Sequence, residues 1–354
     1  MNDRTPLNQP TLIQPDRGQA ATALHLVDKA SFAAWQKART AGQRAILAAQ
    51  KFEGAAGDVA ILPDGDGWFA AGGVADCAAL TSWCLAKLAE TLPGGTYRLA
   101  EGEAGKALHG WVTGQYRFDR YRKDATGGEP RVLLTRDAKA IDPALAEAAA
   151  VTMVRDLVNT PAEDMGPAQL EAEARALAKA HHAQIHVFAG DVLERDYPMV
   201  HAVGRAAARS HAPRLIELVW GDPKHPRVAV VGKGVCFDSG GLDIKPSSGM
   251  ALMKKDMGGA AHALALAGLI MRAGLKINLH LLVPAVENAI SGNAFRPGDI
   301  LRTRQGMSVE ITNTDAEGRL VLGDALARAS EDKPELVIDF ATLTGAARVA
   351  LGPD

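Results

Sequence analysis

The sequence predicts an α/β protein: a smaller N-terminal α/β domain, then a larger C-terminal α/β/α domain with a mostly parallel central sheet. Three observations carry this expectation. At about 150 residues per domain, 354 residues imply two domains. Beyond residue 131, short apolar runs rich in β-branched residues alternate with helical patterns, as parallel strands covered on both faces require. Between the halves, residues 123–130 (KDATGGEP) are polar, glycine-rich and closed by proline, so the boundary is placed there, giving domains 1–130 and 131–354.

In chain order, residues 1–20 read as a polar, proline-bearing arm. Phe32, Trp35, Ala38 and Ile46 recur at helical spacing and predict one helix over 31–51. Residues 59–62 and 68–71 flank Pro63-Asp64-Gly65-Asp66-Gly67 and read as a hairpin-like strand pair. Helices are expected at 80–91 and 108–121. Past the linker come a strand at 132–135 and a helix at 143–158, stopped by Asn159-Thr160-Pro161. A helix at 167–180 carries proline in its first turn. Strands follow at 185–188, 215–220, 228–231, 277–283 and 336–340. Helical patterns at 258–271 and 319–329 separate the later ones.

Composition narrows the function. Acidic and basic side chains number 41 and 39, a net charge of −2, so no strong field draws nucleic acid or an anionic membrane. Aromatics are only 5%, too few for base-stacking platforms. No apolar run is long enough to span a bilayer, and the N-terminus lacks the apolar core of an export signal. Cys77, Cys84 and Cys236 are too scattered for a disulfide framework or zinc ribbon, which suits a reducing, cytoplasmic setting.

Two segments carry the chemistry. One runs Val231-Gly-Lys-Gly-Val-Cys-Phe-Asp-Ser-Gly-Gly-Leu-Asp-Ile-Lys-Pro246, followed by Leu252-Met-Lys-Lys-Asp-Met-Gly-Gly-Ala260; the other is Asn313-Thr-Asp-Ala-Glu-Gly-Arg-Leu320. Asp238, Asp256, Asp315 and Glu317 lie in glycine-rich, weakly charged text, unlike acids in a solvated charge run. The phosphate-loop pattern, the dinucleotide fingerprint, His-Glu-x-x-His and Gly-x-Ser-x-Gly are all missing. Ser239 has no histidine in either segment to serve as its base. Paired divalent cations explain the acids better, since a two-metal site needs several carboxylates and at least one that bridges. Asp315 and Glu317 stand i, i+2, so an extended segment would turn both to one side. Lys233 could ligate only as the neutral amine.

These residues closely resemble the leucyl aminopeptidase family of dinuclear metallo-exopeptidases. The match to Asn-Thr-Asp-Ala-Glu-Gly-Arg-Leu is complete, the Gly-Lys-Gly…Asp-Met-Gly-Gly-Ala framework fits in spacing, and Arg155–Pro161 and Ala341–Ala346 resemble two further signatures. The resemblance covers about residues 150–350. It implies that Lys233, Asp238, Asp256 and Glu317 ligate a tighter metal, that Asp238, Asp315 and Glu317 ligate a more exchangeable one, and that Asp238 and Glu317 bridge. It implies that Lys245 polarises the scissile carbonyl and that Arg319 holds a bicarbonate ion acting as general base. Thr342, Leu343 and Gly345 would meet the substrate, and Met253 would line its first side-chain pocket. Two divalent ions are implied, zinc or manganese, with magnesium or cobalt as alternatives. So are short peptides or amino-acid amides as substrates, a cytoplasmic homohexamer, and neither nucleic acid nor membrane as partner.

Other residues read as structural. Lys254 and Lys255 are rim charges, Asp243 a loop acid, Ser239 a small residue allowing close approach, and Cys236 a buried apolar one. His262 reads as an interior or interface histidine, and His181-His182 as solvent-facing at a helix end. Asp324 reads as helix surface or a partner to a ligand, and Met250 and Met257 as core or pocket lining. Two other classes compete: a non-catalytic binding or structural member of the same fold, and a two-metal phosphohydrolase. The second has only Lys233, Lys245 and Arg319 to clamp phosphate.

The chain ends at Asp354, just past the Thr-Leu-Thr-Gly-Ala turn, whereas members of that family run on well beyond it. The strand at 336–340 is expected to be buried and to need a covering helix. The expectation is therefore that the 354-residue chain alone is poorly soluble or inactive and that a completed chain is active. Full peptidase turnover by soluble 354-residue protein would overturn it.

Overall fold

The structure, a computed structural model, describes residues 12–124 and 128–352; residues 1–11 of the expected arm and 125–127 of the expected linker lie outside the described residues. The chain divides into two compact units, Met1–Thr152 and Met153–Asp354.

The first unit contains β1 (Ile13–Pro15), β2 (Thr22–Val27), α1 (Phe32–Lys37), α2 (Ala41–Ala49), β3 (Val59–Asp64), β4 (Gly67–Gly73), α3 (Ala86–Thr91), β5 (Gly95–Leu99), α4 (Leu108–Thr113) and β6 (Arg131–Thr135). Its sheet has the order β1-β6-β5-β2-β4-β3, parallel except for the β3–β4 pair. Tyr97 and Trp111 lie in the core on one face, and Leu47, Phe52 and Leu62 in that on the other. The single helix expected over 31–51 is two, because Thr40 caps a new one. Its hydroxyl accepts from Gln43 N at 3.2 Å, and Gln43 Oε1 accepts from Thr40 N at 3.0 Å. The expected helices at 80–91 and 108–121 shrink to α3 and α4.

Strand β6 was expected to open the second domain. Instead it pairs with β1 and β5, and the division between units falls inside the next helix, α5 (Ile141–Asn159). A strand after a linker reads forward along the chain; its partners here lie far upstream, and pairing leaves no local trace.

The second unit contains α6 (Pro167–His181), β7 (Gln184–Ala189), α7 (Asp191–Asp196), α8 (Pro198–Gly204), β8 (Arg214–Trp220), β9 (Arg227–Gly232), β10 (Gly234–Asp238), α9 (Ser247–Met250), α10 (Gly258–Arg272), β11 (Asn278–Asn288), β12 (Ile300–Arg302), β13 (Ser308–Glu310), α11 (Glu317–Glu331), β14 (Leu336–Phe340) and α12 (Ala346–Leu351). Its central sheet runs β14-β9-β11-β8-β7, with β10 also alongside β11. The β14–β9, β9–β11 and β10–β11 pairs are parallel, and the β11–β8 and β8–β7 pairs antiparallel. Direction is not written in an apolar run, so this antiparallel flank escaped the sequence.

Alternation along the strands builds one core on each face. Val230, Leu279, Leu281 and Val283 pack with Ala260, Ala263 and Leu264 of α10, whereas Ala229, Val231 and Leu282 pack with Val321 and Ala325 of α11. The far end of α11 is anchored by Arg328, whose guanidinium meets Glu217 at 2.8 Å; Glu217 in turn pairs with the fully buried His280 at 2.6 Å. Strand β14 is parallel, as expected, but not buried. It pairs with β9 alone among the described residues, and Leu336 remains 51% exposed. Among the described residues no helix is long and apolar enough to cross a membrane.

Helix α10 starts so close to the strand ends that only glycine fits. A Cβ on Gly259 would lie 2.2 Å from the Phe340 carbonyl oxygen and 2.9 Å from Lys233 N, both backbone atoms. Gly259→Ala is therefore expected to cost about 1–3 kcal/mol through forced backbone shifts, read as a lower urea midpoint. An unchanged midpoint would show that this approach is looser than described.

Candidate metal centre

Four parallel strands end at one place, and their carboxyl ends are where open α/β sheets bind ligands. Lys233 follows β9, Asp238 closes β10, Asn288 closes β11, and Thr342 follows β14. Backbone bonds lock these ends together: Lys233 N donates to Phe340 O at 2.9 Å, and Ala260 N to Lys233 O at 2.8 Å. Asp256 sits on a tight turn, Met253–Met257, leading into α10. Asp315 lies on a second turn, Thr314–Ala316, and Glu317 opens α11.

All four acids converge. One oxygen from each of Asp238, Asp315 and Glu317 lies within 4.8 Å of the others. Asp256 joins through Lys233, whose Nζ is 2.6 Å from Asp256 Oδ2 and 3.0 Å from Glu317 Oε1. Lys245 Nζ bridges in the same way, 2.9 Å from Asp238 Oδ2 and in direct contact with Asp315 Oδ1. Thr342 Oγ1 donates to Asp256 Oδ1 at 2.7 Å, and Lys255 reaches the same oxygen at 3.1 Å. Lys233, Asp238, Asp256 and Glu317 are each about 2% exposed. The route differs from the extended segment expected for Asp315 and Glu317: a helical turn, begun where Asn313 Oδ1 accepts from Asp315 N at 2.7 Å, brings both acids inward.

Electrostatics follow from burial and crowding. Burial, reinforced by the charges of Asp238 and Asp256, pushes Glu317 up to about 7 despite the adjacent Lys233. Burial likewise raises Asp315, with Asp238 adding to the effect. For the lysines, burial disfavours the charge. The carboxylates of Glu317 and Asp256 outweigh it at Lys233, and the hydrogen bonds to Asp315 and Asp238 outweigh it at Lys245, so both rise above the ordinary lysine value. Lys233 is thus an ammonium in this arrangement; the neutral amine expected of a ligand needs a competing cation.

The donor set fits divalent ions. Four carboxylates meet the ammonium groups of Lys233 and Lys245 and, at the rim, Lys255, so acids outnumber cations once Glu317 gives up its proton. Glu317 Oε2 is buried with no hydrogen-bond partner among the described residues. Hard oxygen ligands with one amine suit zinc, manganese or magnesium alike.

The remaining sequence-singled residues fall in several places. Arg319 is exposed, and no ion pair is found for it among the described residues. Leu343 is 47% exposed, Gly345 is exposed, and Met253 is half-buried on the Asp256 turn. Asp324 is not surface: it is fully buried, and its carboxylate accepts from Met199 N and Arg304 N at 2.8 and 2.9 Å, away from the cluster. His262 is not interior: it is exposed in this single chain, with Nδ1 2.7 Å from Gly258 O. Asp243 does more than a loop acid, since its Oδ2 accepts from Thr314 N at 2.7 Å. Asn288 was missed altogether. Its Nδ2 lies 2.9 Å from Asp238 Oδ1, and the only signal was its place at the end of an apolar run.

Comparison with known proteins agrees with this geometry. The family described as "Cytosol aminopeptidase family, catalytic domain" matches residues 152–354, and "M17 aminopeptidase, N-terminal domain" matches residues 22–134. Proteins named probable cytosol aminopeptidase from Rhodococcus jostii and Wolinella succinogenes are each 41% identical, over 71% and 69% of this chain and 52% and 53% of their own. The chain thus spans about half the length of these curated relatives. The crystal structure of the cytosol aminopeptidase from Coxiella burnetii superposes with a TM-score of 0.88 at 42% identity, covering 97% of this chain and 76% of that one. The bottromycin maturation enzyme BotP in complex with Mn gives 0.81 at 34% identity, over 94% and 74%.

Because Glu317 holds its proton up to about pH 7, cation uptake is expected to release protons near pH 6. Apparent affinity should then rise with pH through the Glu317 titration. Calorimetry of Mn2+ binding in two buffers of different ionisation enthalpy measures the release, and identical heats would contradict it.

Proposed function

This chain belongs to the cytosol aminopeptidase family, and from that premise we propose that it acts in the metal-dependent removal of the N-terminal residue of short peptides or amino-acid amides. The observation that carries the reading is the convergence of Asp238, Asp256, Asp315 and Glu317 about Lys233 and Lys245.

In this reading Lys233, Asp238, Asp256 and Glu317 hold one divalent ion, and Asp238, Asp315 and Glu317 the other, with Asp238 and Glu317 shared. Such ions supply Lewis acidity, lowering the pKa of a coordinated water to about 7 and polarising a carbonyl oxygen. The protein's own groups do the rest. Lys245, already held between Asp238 and Asp315, presents a fixed ammonium to the oxygen on which negative charge develops. Arg319, exposed and without an ion pair among the described residues, would retain a bicarbonate ion as general base in this reading. Thr342 and Leu343 follow the end of β14 and border the cluster, with Gly345 two residues further on: Thr342 bonds Asp256, and the Leu343 side chain lies 3.0 Å from where a Cβ on Gly318 would stand. That edge suits the substrate backbone, and Met253 suits its first side chain. A free substrate amine would meet the acids, which favours exopeptidase over endopeptidase cleavage. Zinc or manganese as the resident metal, a cytoplasmic location and a homohexameric assembly belong to the same proposal.

A non-catalytic role is disfavoured because every acid of the cluster is present and inward. Phosphate-ester hydrolysis is disfavoured by the family match over residues 152–354.

Hydrolysis of leucine p-nitroanilide by the purified full-length protein with Mn2+ or Zn2+ tests the reading. Glu317→Ala should abolish it while the circular dichroism spectrum stays native. Lys245→Ala should lower kcat by about 10²–10³-fold with a smaller change in KM. Metal-bound protein that cleaves p-nitrophenyl phosphate but no aminoacyl arylamide would refute the assignment.

A further inference from the structure

We propose that Asn288 and Asp243 are positioning residues: together they clamp the Asp238 loop to the Asp315 turn and so set the affinity of the cation position bounded by Asp238, Asp315 and Glu317. The inference rests on the reading of the acid cluster as a two-cation site.

Asn288 closes β11 directly opposite Asp238 in the parallel register and is 1% exposed. Its Nδ2 donates to Asp238 Oδ1 at 2.9 Å and to the Thr314 carbonyl at 3.1 Å. Its own main-chain carbonyl accepts from Ser239 N at 3.1 Å and Ser239 Oγ at 2.7 Å. One amide group therefore spans two segments remote in sequence, each bearing an acid of the cluster. Asp238 Oδ1 also accepts from Gly240 N at 2.9 Å. With Oδ1 held by two donors, Oδ2 is the oxygen that faces Lys245.

A second strap runs beside the first. Asp243 Oδ2 accepts from Thr314 N at 2.7 Å, while Thr314 Oγ1 accepts from Asp243 N at 2.8 Å and donates to Gly240 O at 2.7 Å. Thr314, immediately before Asp315, is fully buried. Gly240 and Gly241 adopt φ of +88° and +65°, which lets the loop double back to make these bonds. Gly241 also leaves room for Asn288: a Cβ there would lie 3.0 Å from Asn288 Oδ1.

The clamp is selective by construction. It touches both Asp238 and the turn carrying Asp315. It touches neither Lys233 nor the Asp256 turn, and Glu317 is reached only through the turn before it. Losing it should loosen the position that depends on Asp315 more than the one that retains Lys233, Asp256 and Glu317. Because an amide donor does not titrate in this range, the Asn288 strap holds at any working pH.

The test is calorimetric titration of the full chain with Mn2+ alone, in the parent protein, Asn288→Ala and Asp243→Ala, alongside thermal unfolding. In both variants the weaker of two binding steps should fall by about 10–100-fold, the range typical for groups that orient ligands, with the tighter step far less affected. Excess Mn2+ should then restore hydrolysis, and unfolding measured without metal separates this from mere destabilisation, which added Mn2+ would also offset. Asp243 is exposed, so Asp243→Ala decides the matter if Asn288→Ala does not fold. Two unchanged steps in a folded variant, or equal loss of both, overturn the clamp. A parent protein that binds no Mn2+ overturns the cation-site reading itself.

Discussion

Gathering four carboxylates, three of them buried, is costly, and the structure depends on how that cost is met. An isolated buried charge carries a penalty of roughly several kcal/mol even after relaxation. Here Lys233 sits between Asp256 and Glu317, and Lys245 between Asp238 and Asp315, so each ammonium serves two acids. The compensation is incomplete: Glu317 answers by holding its proton up to about pH 7 and leaves one oxygen without a partner. A pocket balanced in this way is stable enough to form, yet still favours added positive charge.

The fold supplies the rigidity this balance needs. The acids stand on the short segments where β9, β10, β11 and β14 end, and those ends are tied by backbone hydrogen bonds that hold whatever side chains follow. Helices α10 and α11 cover opposite faces of the sheet, and each begins beside an acid of the cluster, Asp256 for α10 and Glu317 for α11. The Arg328–Glu217–His280 arrangement anchors the far end of α11, so the helix cannot slide without breaking a buried pair.

Chemistry that must be held in a fixed sequence pattern was legible before any coordinates. Asp238, Asp256, Asp315 and Glu317 stood out because isolated acids in glycine-rich text are hard to read as solvated surface, with Lys233 as a candidate amine ligand beside them; Lys245 was singled out through the family resemblance alone. Residues whose role is set by a distant partner were not legible. Asn288 resembles any polar residue ending an apolar run until Asp238 is seen across from it. Asp324 looked like helix surface because the amides it caps, Met199 and Val200, are more than a hundred positions away. The pairing of Asp315 with Glu317 was anticipated through the wrong geometry, since a two-residue spacing serves a helical turn as readily as a strand.

By itself the sequence determined the α/β class, the alternation that buries both faces of the second sheet, and which side chains could hold cations. Those follow from residue type and local periodicity, which the chain carries wherever it goes. Only the tertiary structure decided that β6 belongs to the first sheet, that β8 runs against β11, that β14 pairs with β9 alone among the described residues, and that Asn288 and Asp243 join two acid-bearing loops. Each is a matter of which distant segment a hydrogen-bonding group meets. A backbone amide or a carboxylate will pair with any complementary partner, so the choice is made by packing of the whole chain and not by the residues themselves.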